Sequence, residues 1–330
     1  MRLATIEVQN PTNHSEKIDG RLILVSDCRK KFCYASDKFK TLLSAIESWG
    51  SASEELKIKQ TLLNSNSSEL ETFNIESAKF KAPLPRTYAW LDGSAFIQHV
   101  ILVRKARGAE PPEDLLTVPL MYQGISDTLI GPFDPIILKD ELWGMDFEGE
   151  VAVVVDDVPM GVSEDKAKNH IKLIMLMNDV SLRNLIPKEL ATGFGFFHGK
   201  PSSSFAPFAV TPDELGAAWN DCKVHLPLES WLNEEPFGHP NASEMHFSFA
   251  KLISHAAKTR ALTAGTIIGS GTVSNKDESV GSSCLAEKRM LEIINTGTAS
   301  TPFMKKGDKI KFDMKLNGKS IFGQINQIVA

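Results

Sequence analysis

Cysteine is scarce in this chain, with Cys28, Cys33, Cys222 and Cys284 the four among 330 residues. Cys28 and Cys33 stand close together, but nothing downstream supplies the second ligand pair of a zinc knuckle. They read as reduced thiols, and Cys284, with no adjacent base, reads as a packing residue. No block of Lys or Arg stands out against the net charge of −5, which argues against nucleic acid or an anionic membrane surface as a partner. Apolar runs stop far short of a membrane span. The start, Met1-Arg2-Leu3-Ala4-Thr5-Ile6-Glu7, meets an acid before a signal-peptide core forms, so a cytoplasmic protein is expected. There is no repeat period and no βαβ succession of the dinucleotide-binding kind. Gly269-Ser270-Gly271 is no phosphate loop, because neither the six-residue glycine pattern nor Gly-Lys-Ser/Thr accompanies it.

What is present is the composition of an ordinary globular protein, 42% apolar and 23% charged, long enough for a large domain with a smaller one beside it. Residues 1–80 read as the small unit. It holds short strands at Arg21–Val25 and Lys31–Tyr34, then a helix with Phe39, Leu42, Leu43, Ile46 and Trp49 at 3-4 spacing. Ser51 and Glu54 suggest a capping box for a second helix carrying Leu56, Leu62 and Leu63, and Ser65-Asn66-Ser67-Ser68 reads as a linker. From Lys81-Ala82-Pro83-Leu84-Pro85 the chain is β-rich, over 81–330. A helix is predicted from the Ser163 cap to Asn169, a strand over Ile171–Met177 and a helix over Phe249–Arg260. A closing hairpin turns at Asn317-Gly318.

The most informative stretch is Gly144-Met145-Asp146-Phe147-Glu148-Gly149-Glu150, followed by the apolar run Val151–Val155. It reads as one β-strand. Strand side chains alternate faces, so Glu148 and Glu150 project together, roughly 7 Å apart. Two carboxylates on one face of an apolar strand resist burial, unless a cation lies between them; a solvent-washed edge is the plain alternative. Asp179 ends an apolar strand and Asp92 opens an Asp-Gly turn, roles that helix or turn capping also explains. An all-oxygen set of four acids favours Mg²⁺, Ca²⁺ or Mn²⁺ over zinc or copper.

These residues, in this order, resemble the fumarylacetoacetate hydrolase family. The resemblance is carried by Glu148-Gly149-Glu150, by Met177-Asn178-Asp179-Val180-Ser181-Leu182-Arg183, by Gly199-Lys200-Pro201 and by Gly269-Ser270-Gly271-Thr272-Val273-Ser274-Asn275. It covers about Pro83 to Ala330, and the preceding segment is similar in position and length to the smaller N-terminal domain of fumarylacetoacetases. It implies an α+β, mostly β fold, a β-sandwich roll with a small β-rich N-terminal domain, assembled as a homodimer. It implies Asp92, Glu148, Glu150 and Asp179 as ligands of Mg²⁺ or Ca²⁺, with Mn²⁺ also accepted. His99, seven residues after Asp92, becomes the general base and Glu287 the acid that orients it. Lys200 and Arg183 become the cations beside the developing oxyanion. Tyr122, Thr272 and Gly271 become substrate contacts, and Arg104 or Arg107 could reach a second substrate carboxylate. Without the family, His99 would read as a core histidine, and Glu287-Lys288-Arg289 as a solvated face.

Three positions depart from the family pattern: Ile186 where a glutamine assists the oxyanion site, Ser94 where a second tyrosine is expected, and Leu102 where small acylpyruvate hydrolases pair a glutamate with the histidine. The implied activity is metal-dependent hydrolysis of a β-diketo acid, with fumarylacetoacetate, the last intermediate of tyrosine and homogentisate breakdown, giving fumarate and acetoacetate. Fumarylpyruvate or acylpyruvate hydrolysis, hydration or 2-oxoacid decarboxylation on the same scaffold is the alternative. A non-catalytic binding module would require a vestigial site.

Overall fold

The computed structural model describes the chain apart from residues 107–109 and 111–112. Strands β1 (Arg2–Ile6), β2 (Arg21–Val25) and β3 (Lys31–Tyr34) open the chain. Helices α1 (Leu42–Glu47) and α2 (Trp49–Asn64) follow, and the two-residue β4 (Phe73–Asn74) returns to pair with β3. The expected capping box is one helix away from where it was read. Thr41 and Ser44 cap α1 reciprocally, whereas α2 starts at Trp49, before Ser51, so Ser51 lies inside its first turn. The apolar spacing from Leu42 to Ile46 does meet the core: Leu42, Ala45 and Ile46, with Ala52, Leu56 and Leu63, cover Leu3, Leu22 and Leu24.

Next come β5 (Trp90–Gly93), α3 (Ile97–Ala106), β6 (Met121–Gly124), β7 (Gly149–Val155) and β8 (Ile171–Asn178). Then follow α4 (Ile186–Ala191), β9 (Ala209–Val210), β10 (Glu229–Leu232), β11 (Glu235–Gly238) and α5 (Phe249–Ala256). The last elements are β12 (Ile267–Gly269), α6 (Leu285–Thr296), β13 (Lys309–Asp313) and β14 (Ile325–Ile328). One long sheet runs β4-β3-β2-β1-β9-β8-β7-β12-β5-β6, with Ser204–Phe205 pairing off β8. Its pairings are antiparallel except β12 against β5. A second sheet, β11-β10-β13-β14, shares the larger apolar core with it through Phe312, Ile325, Val151 and Val153. The fold is mixed α+β and mostly β.

The strand read over Gly144–Val155 is broken in two. Met145–Asp146 pairs with Ser181–Leu182, Glu148 bridges to Cys284, and the long strand begins only at Gly149. The helix from Ser163 is one α-turn, Glu164–Ala167, continued as a 3₁₀ turn to His170. The helix expected to reach Arg260 stops at Ala256. All seven residues of β7 are buried, as suits a strand covered on both faces. Among the described residues no helix is long and apolar enough to cross a membrane.

Topology alone gathers the acids. Asp92 lies near the C-terminal end of β5, Glu150 at the start of β7, and Asp179 just past the end of β8. Because β7 runs antiparallel to both β8 and β12, and β12 runs parallel to β5, those three points fall at one end of adjacent strands.

Candidate active site

The deepest layer is the acid group. One carboxylate oxygen each of Asp92, Glu150 and Asp179 lie within 4.8 Å of one another, and all three residues are buried. Gly269 makes room for this, since a Cβ there would sit 2.6 Å from Asp92 Oδ1 and 2.4 Å from the Trp90 ring. Gly271, held at φ +76°, turns the chain so that its N–H donates to Asp92 Oδ1 at 3.0 Å. Asp179 receives a fuller set of donors: Ser203 Oγ at 2.8 Å on Oδ1, and both Lys200 Nζ at 2.6 Å and the Tyr122 hydroxyl on Oδ2. Trp90 Nε1 donates to Ser203 Oγ in turn, at 3.2 Å. Both oxygens of Glu150 lack a hydrogen-bond partner among the described residues.

Burial, with the neighbouring acids adding to it, pushes the carboxyls of Asp92 and Glu150 well above the ordinary range. Burial and the same acids raise the Tyr122 hydroxyl. A buried carboxylate with no donor is costly by itself. Three acids with converging oxygens and no nitrogen or sulfur ligand are a donor set for a hard divalent cation. The residues fit such an ion.

Glu148 is placed differently from the other three. Its Oε1 accepts from Arg183 Nη2 at 2.5 Å and its Oε2 from Lys200 Nζ at 2.5 Å. Burial acts to raise its carboxyl, but the two cations outweigh that and hold it below the usual range. Lys200 bridges Glu148 and Asp179, and although burial works against its charge, those acids keep the ammonium far above the ordinary lysine value. Lys200 is 6% exposed, so it is a buried cation and no surface charge.

A cavity of about 230 Å³ opens above this floor. Asp92, Glu148, Arg183, Lys200, Tyr122, Gly271 and Thr272 contribute to its lining, and His99 and Arg104 face it from α3. His99 Nδ1 lies 3.0 Å from Glu287 Oε2 on α6. Glu287, 2% exposed, is a buried partner and not the solvated residue its neighbours suggest. Ser94 and Ile186, two of the three departures from the family pattern, also line the cavity. Arg107 lies outside the described residues.

Four contributors had no reading as site residues in the sequence, where Cys284 read as packing. Asp146, fully buried, accepts from Arg183 Nε at 2.8 Å and from the Leu285 and Ala286 N–H groups at 2.7 and 2.9 Å. It therefore ties the arginine to the positive end of α6. The alternation that joined Glu148 to Glu150 extends back to Asp146 and was the available signal. Cys284 caps the same helix, its Sγ accepting from the Glu287 N–H at 3.3 Å. Ser203 and Phe196, the latter edge-on to Tyr122 at 4.9 Å, carried no signal of their own.

Residues 89–329 match the family model described as fumarylacetoacetate (FAA) hydrolase C-terminal, and residues 1–86 match fumarylacetoacetase N-terminal domain 2. The chain is 31% identical over 159 residues to the 2,4-didehydro-3-deoxy-L-rhamnonate hydrolase of Sphingomonas sp. (strain SKA58), covering 47% of this chain and 53% of that one. It is 27% identical over 157 residues to the mitochondrial oxaloacetate tautomerase fahd2 of Xenopus laevis, 47% of each. The chain thus spans about half the length of these curated relatives. In fold it is similar to the maleylpyruvate hydrolase of Sphingobium sp. SYK-6 solved with manganese(II) and pyruvate. That match has a TM-score of 0.65 at 15% identity and covers 100% of this chain and 99% of that one.

Proposed function

The chain belongs to the fumarylacetoacetate hydrolase family, and from that premise we propose that it hydrolyses a carbon–carbon bond of a β-diketo acid, with fumarylacetoacetate as the substrate. One observation carries this reading. A histidine held by a buried carboxylate, an acid cluster fit for a divalent cation, and two paired cations all meet at one cavity of about 230 Å³. Asp92, Glu150 and Asp179, with Glu148 completing the set, would hold Mg²⁺, Ca²⁺ or Mn²⁺. The manganese ion in the maleylpyruvate hydrolase supports a divalent metal. When bound, the ion supplies Lewis-acid polarisation of the diketone oxygens.

The chain's own residues do the rest. Glu287 fixes the His99 ring through Nδ1, leaving Nε2 to take a proton from water. The resulting hydroxide adds to one carbonyl carbon, and its oxyanion faces Arg183 and Lys200, whose positions Asp146, Glu148 and Asp179 set. The C–C bond then breaks, its electron pair leaving on the enol side, and imidazolium His99 returns the proton to that carbon. One water is consumed and two acids are released. Thr272 and the Gly271 turn hold one substrate carboxylate, and Arg104 at the end of α3 reaches the other. Tyr122 acts through Asp179, to which its hydroxyl donates, as much as through the substrate. The enzyme works on a small molecule in the cytoplasm as a homodimer, an assembly that sedimentation would test.

Purified protein stripped with EDTA and reloaded with Mg²⁺, Ca²⁺ or Mn²⁺ should convert fumarylacetoacetate to equal amounts of fumarate and acetoacetate. It should do so with a higher kcat/KM than for fumarylpyruvate, acetylpyruvate or uncharged β-diketones. His99→Ala should cost about 10²–10⁴ in turnover while metal affinity stays nearly unchanged. A higher kcat/KM for fumarylpyruvate or acetylpyruvate would move the substrate to the acylpyruvates. Enol–keto interconversion of oxaloacetate without bond cleavage would overturn hydrolysis itself.

A further inference from the structure

Glu189, on the last turn of α4, makes an arrangement that the acid–base chemistry does not account for. Its Oε1 accepts the His198 N–H at 2.6 Å, and its Oε2 accepts those of Phe197 and Gly199 at 3.1 and 3.0 Å. Three consecutive backbone donors converge on one carboxylate, a small anion nest closed by the chain upon itself. Gly193 and Gly195, at φ +78° and +93°, let the loop double back to reach it. Gly199 is required at the seam, since a Cβ there would meet Ile186 Cγ1 at 2.6 Å and Glu189 Oε2 at 3.0 Å.

The loop so closed has little else to hold it. Phe194 and Phe197 are 96% and 73% exposed, so apolar burial does not fix it. Yet two things the cavity needs depend on its path. Phe196 stands edge-on to Tyr122, and Lys200 follows directly after Gly199, whose carbonyl accepts the Leu182 N–H at 2.8 Å. Ile186, Leu190 and Phe196, all from residues 186–199, line the cavity beside its charged floor.

We propose that Glu189 is a positioning residue: its carboxylate locks residues 186–199 into a fixed apolar wall, and that wall packs against the flat carbon segment of the substrate arm that lies between the reacting carbonyls and the terminal carboxylate. The inference rests on reading the cavity as the substrate site. A carboxylate offers two acceptor oxygens with lone pairs for three donors, whereas an amide offers one oxygen and sets an NH₂ against the remaining N–H groups. Glutamine therefore cannot replace it.

The test compares wild type with Glu189→Ala, Glu189→Gln, Phe196→Ala and the Glu189→Ala/Phe196→Ala double variant, each loaded with Mn²⁺. Amide exchange at residues 197–200 should speed up by about tenfold or more in Glu189→Ala and by less in Glu189→Gln. With fumarylacetoacetate, Glu189→Ala should raise KM by about tenfold and lower kcat less. Phe196→Ala should match it, and the double variant should be no worse than either single one. Unchanged exchange in Glu189→Ala, or multiplicative effects in the double variant, would overturn the proposal. If wild type fails to cleave fumarylacetoacetate, the functional reading falls, and the exchange measurement alone decides whether Glu189 locks the loop.

Discussion

The two ends of the long sheet are built on opposite principles. At the β1–β4 end, α1 and α2 cover an apolar face in which Leu3, Leu22 and Leu24 meet Leu42, Ile46 and Leu56, all nearly inaccessible to water. At the other end, where β5, β7, β8 and β12 lie side by side, the same sheet buries Asp92, Glu150 and Asp179 against one another. The first end gains stability from every buried side chain. The second gives stability up, because like charges are desolvated together and two of them are pushed toward protonation. The apolar layer itself continues through Ala152, Val154, Met175 and Ile267 at that second end, so the acids interrupt it locally, and removing a buried side chain should act in opposite directions at the two places.

The sharpest break of that comparison is Glu150→Gln. It should abolish tight binding of Mg²⁺ or Mn²⁺ by calorimetry and lower kcat/KM by roughly 10³-fold or more, the scale of a lost electrostatic anchor. The metal-free variant should nevertheless melt higher than metal-free wild type, since an uncompensated buried charge is gone. Unchanged metal affinity would remove Glu150 from the cation site.

Leu24→Ala probes the other end. A cavity among Leu3, Leu22 and Leu56 should cost about 2–5 kcal/mol by denaturant titration. The folded fraction should keep its kcat and its metal affinity. A large fall in kcat at full folding would show that the two ends are coupled more tightly than their cores suggest.

The smallest effect is in pH. Raised folded-state carboxyls at Asp92 and Glu150 stabilise the metal-free protein fully below the unfolded values of 3.8 and 4.5, and that contribution is lost as pH rises through the folded values. Glu148, held low, works the other way: its contribution is present above 4.5 and lost as pH falls. Thermal stability in EDTA should therefore fall from mildly acid toward alkaline pH, while saturating metal, which competes with protons for the same oxygens, should flatten or reverse that slope. An identical slope with and without metal would contradict the assignment.

Reading the site from sequence depended on how local each signal was. Glu148 and Glu150 were legible because residues two apart in extended backbone share a face, although Glu148 stands just before the first residue of β7. The strand itself was over-extended, since Phe147 leaves it to pack on Phe237 and Phe312. The helix under His99 was not read at all, and α3 and α6 meet only in the tertiary structure, so the His99–Glu287 pair, 188 residues apart, had only a family resemblance behind it. Ser203, Phe196 and Glu189 act through partners that no pattern of spacing names.

By itself the sequence determined the class of protein: a mostly β chain with four acids suited to an oxygen-loving cation, and apolar strands and helices able to bury them. Those properties follow from residue type and from periods of two and 3.6, which neighbours along the chain dictate. The tertiary structure decided which oxygens converge, that Glu148 pairs with Arg183 and Lys200 while Glu150 finds no donor among the described residues, and that Asp146 joins the arginine to a helix end. These depend on strand order and on the antiparallel and parallel registers that bring Asp92, Glu150 and Asp179 to one end of four strands, a relation between distant segments that no local pattern encodes.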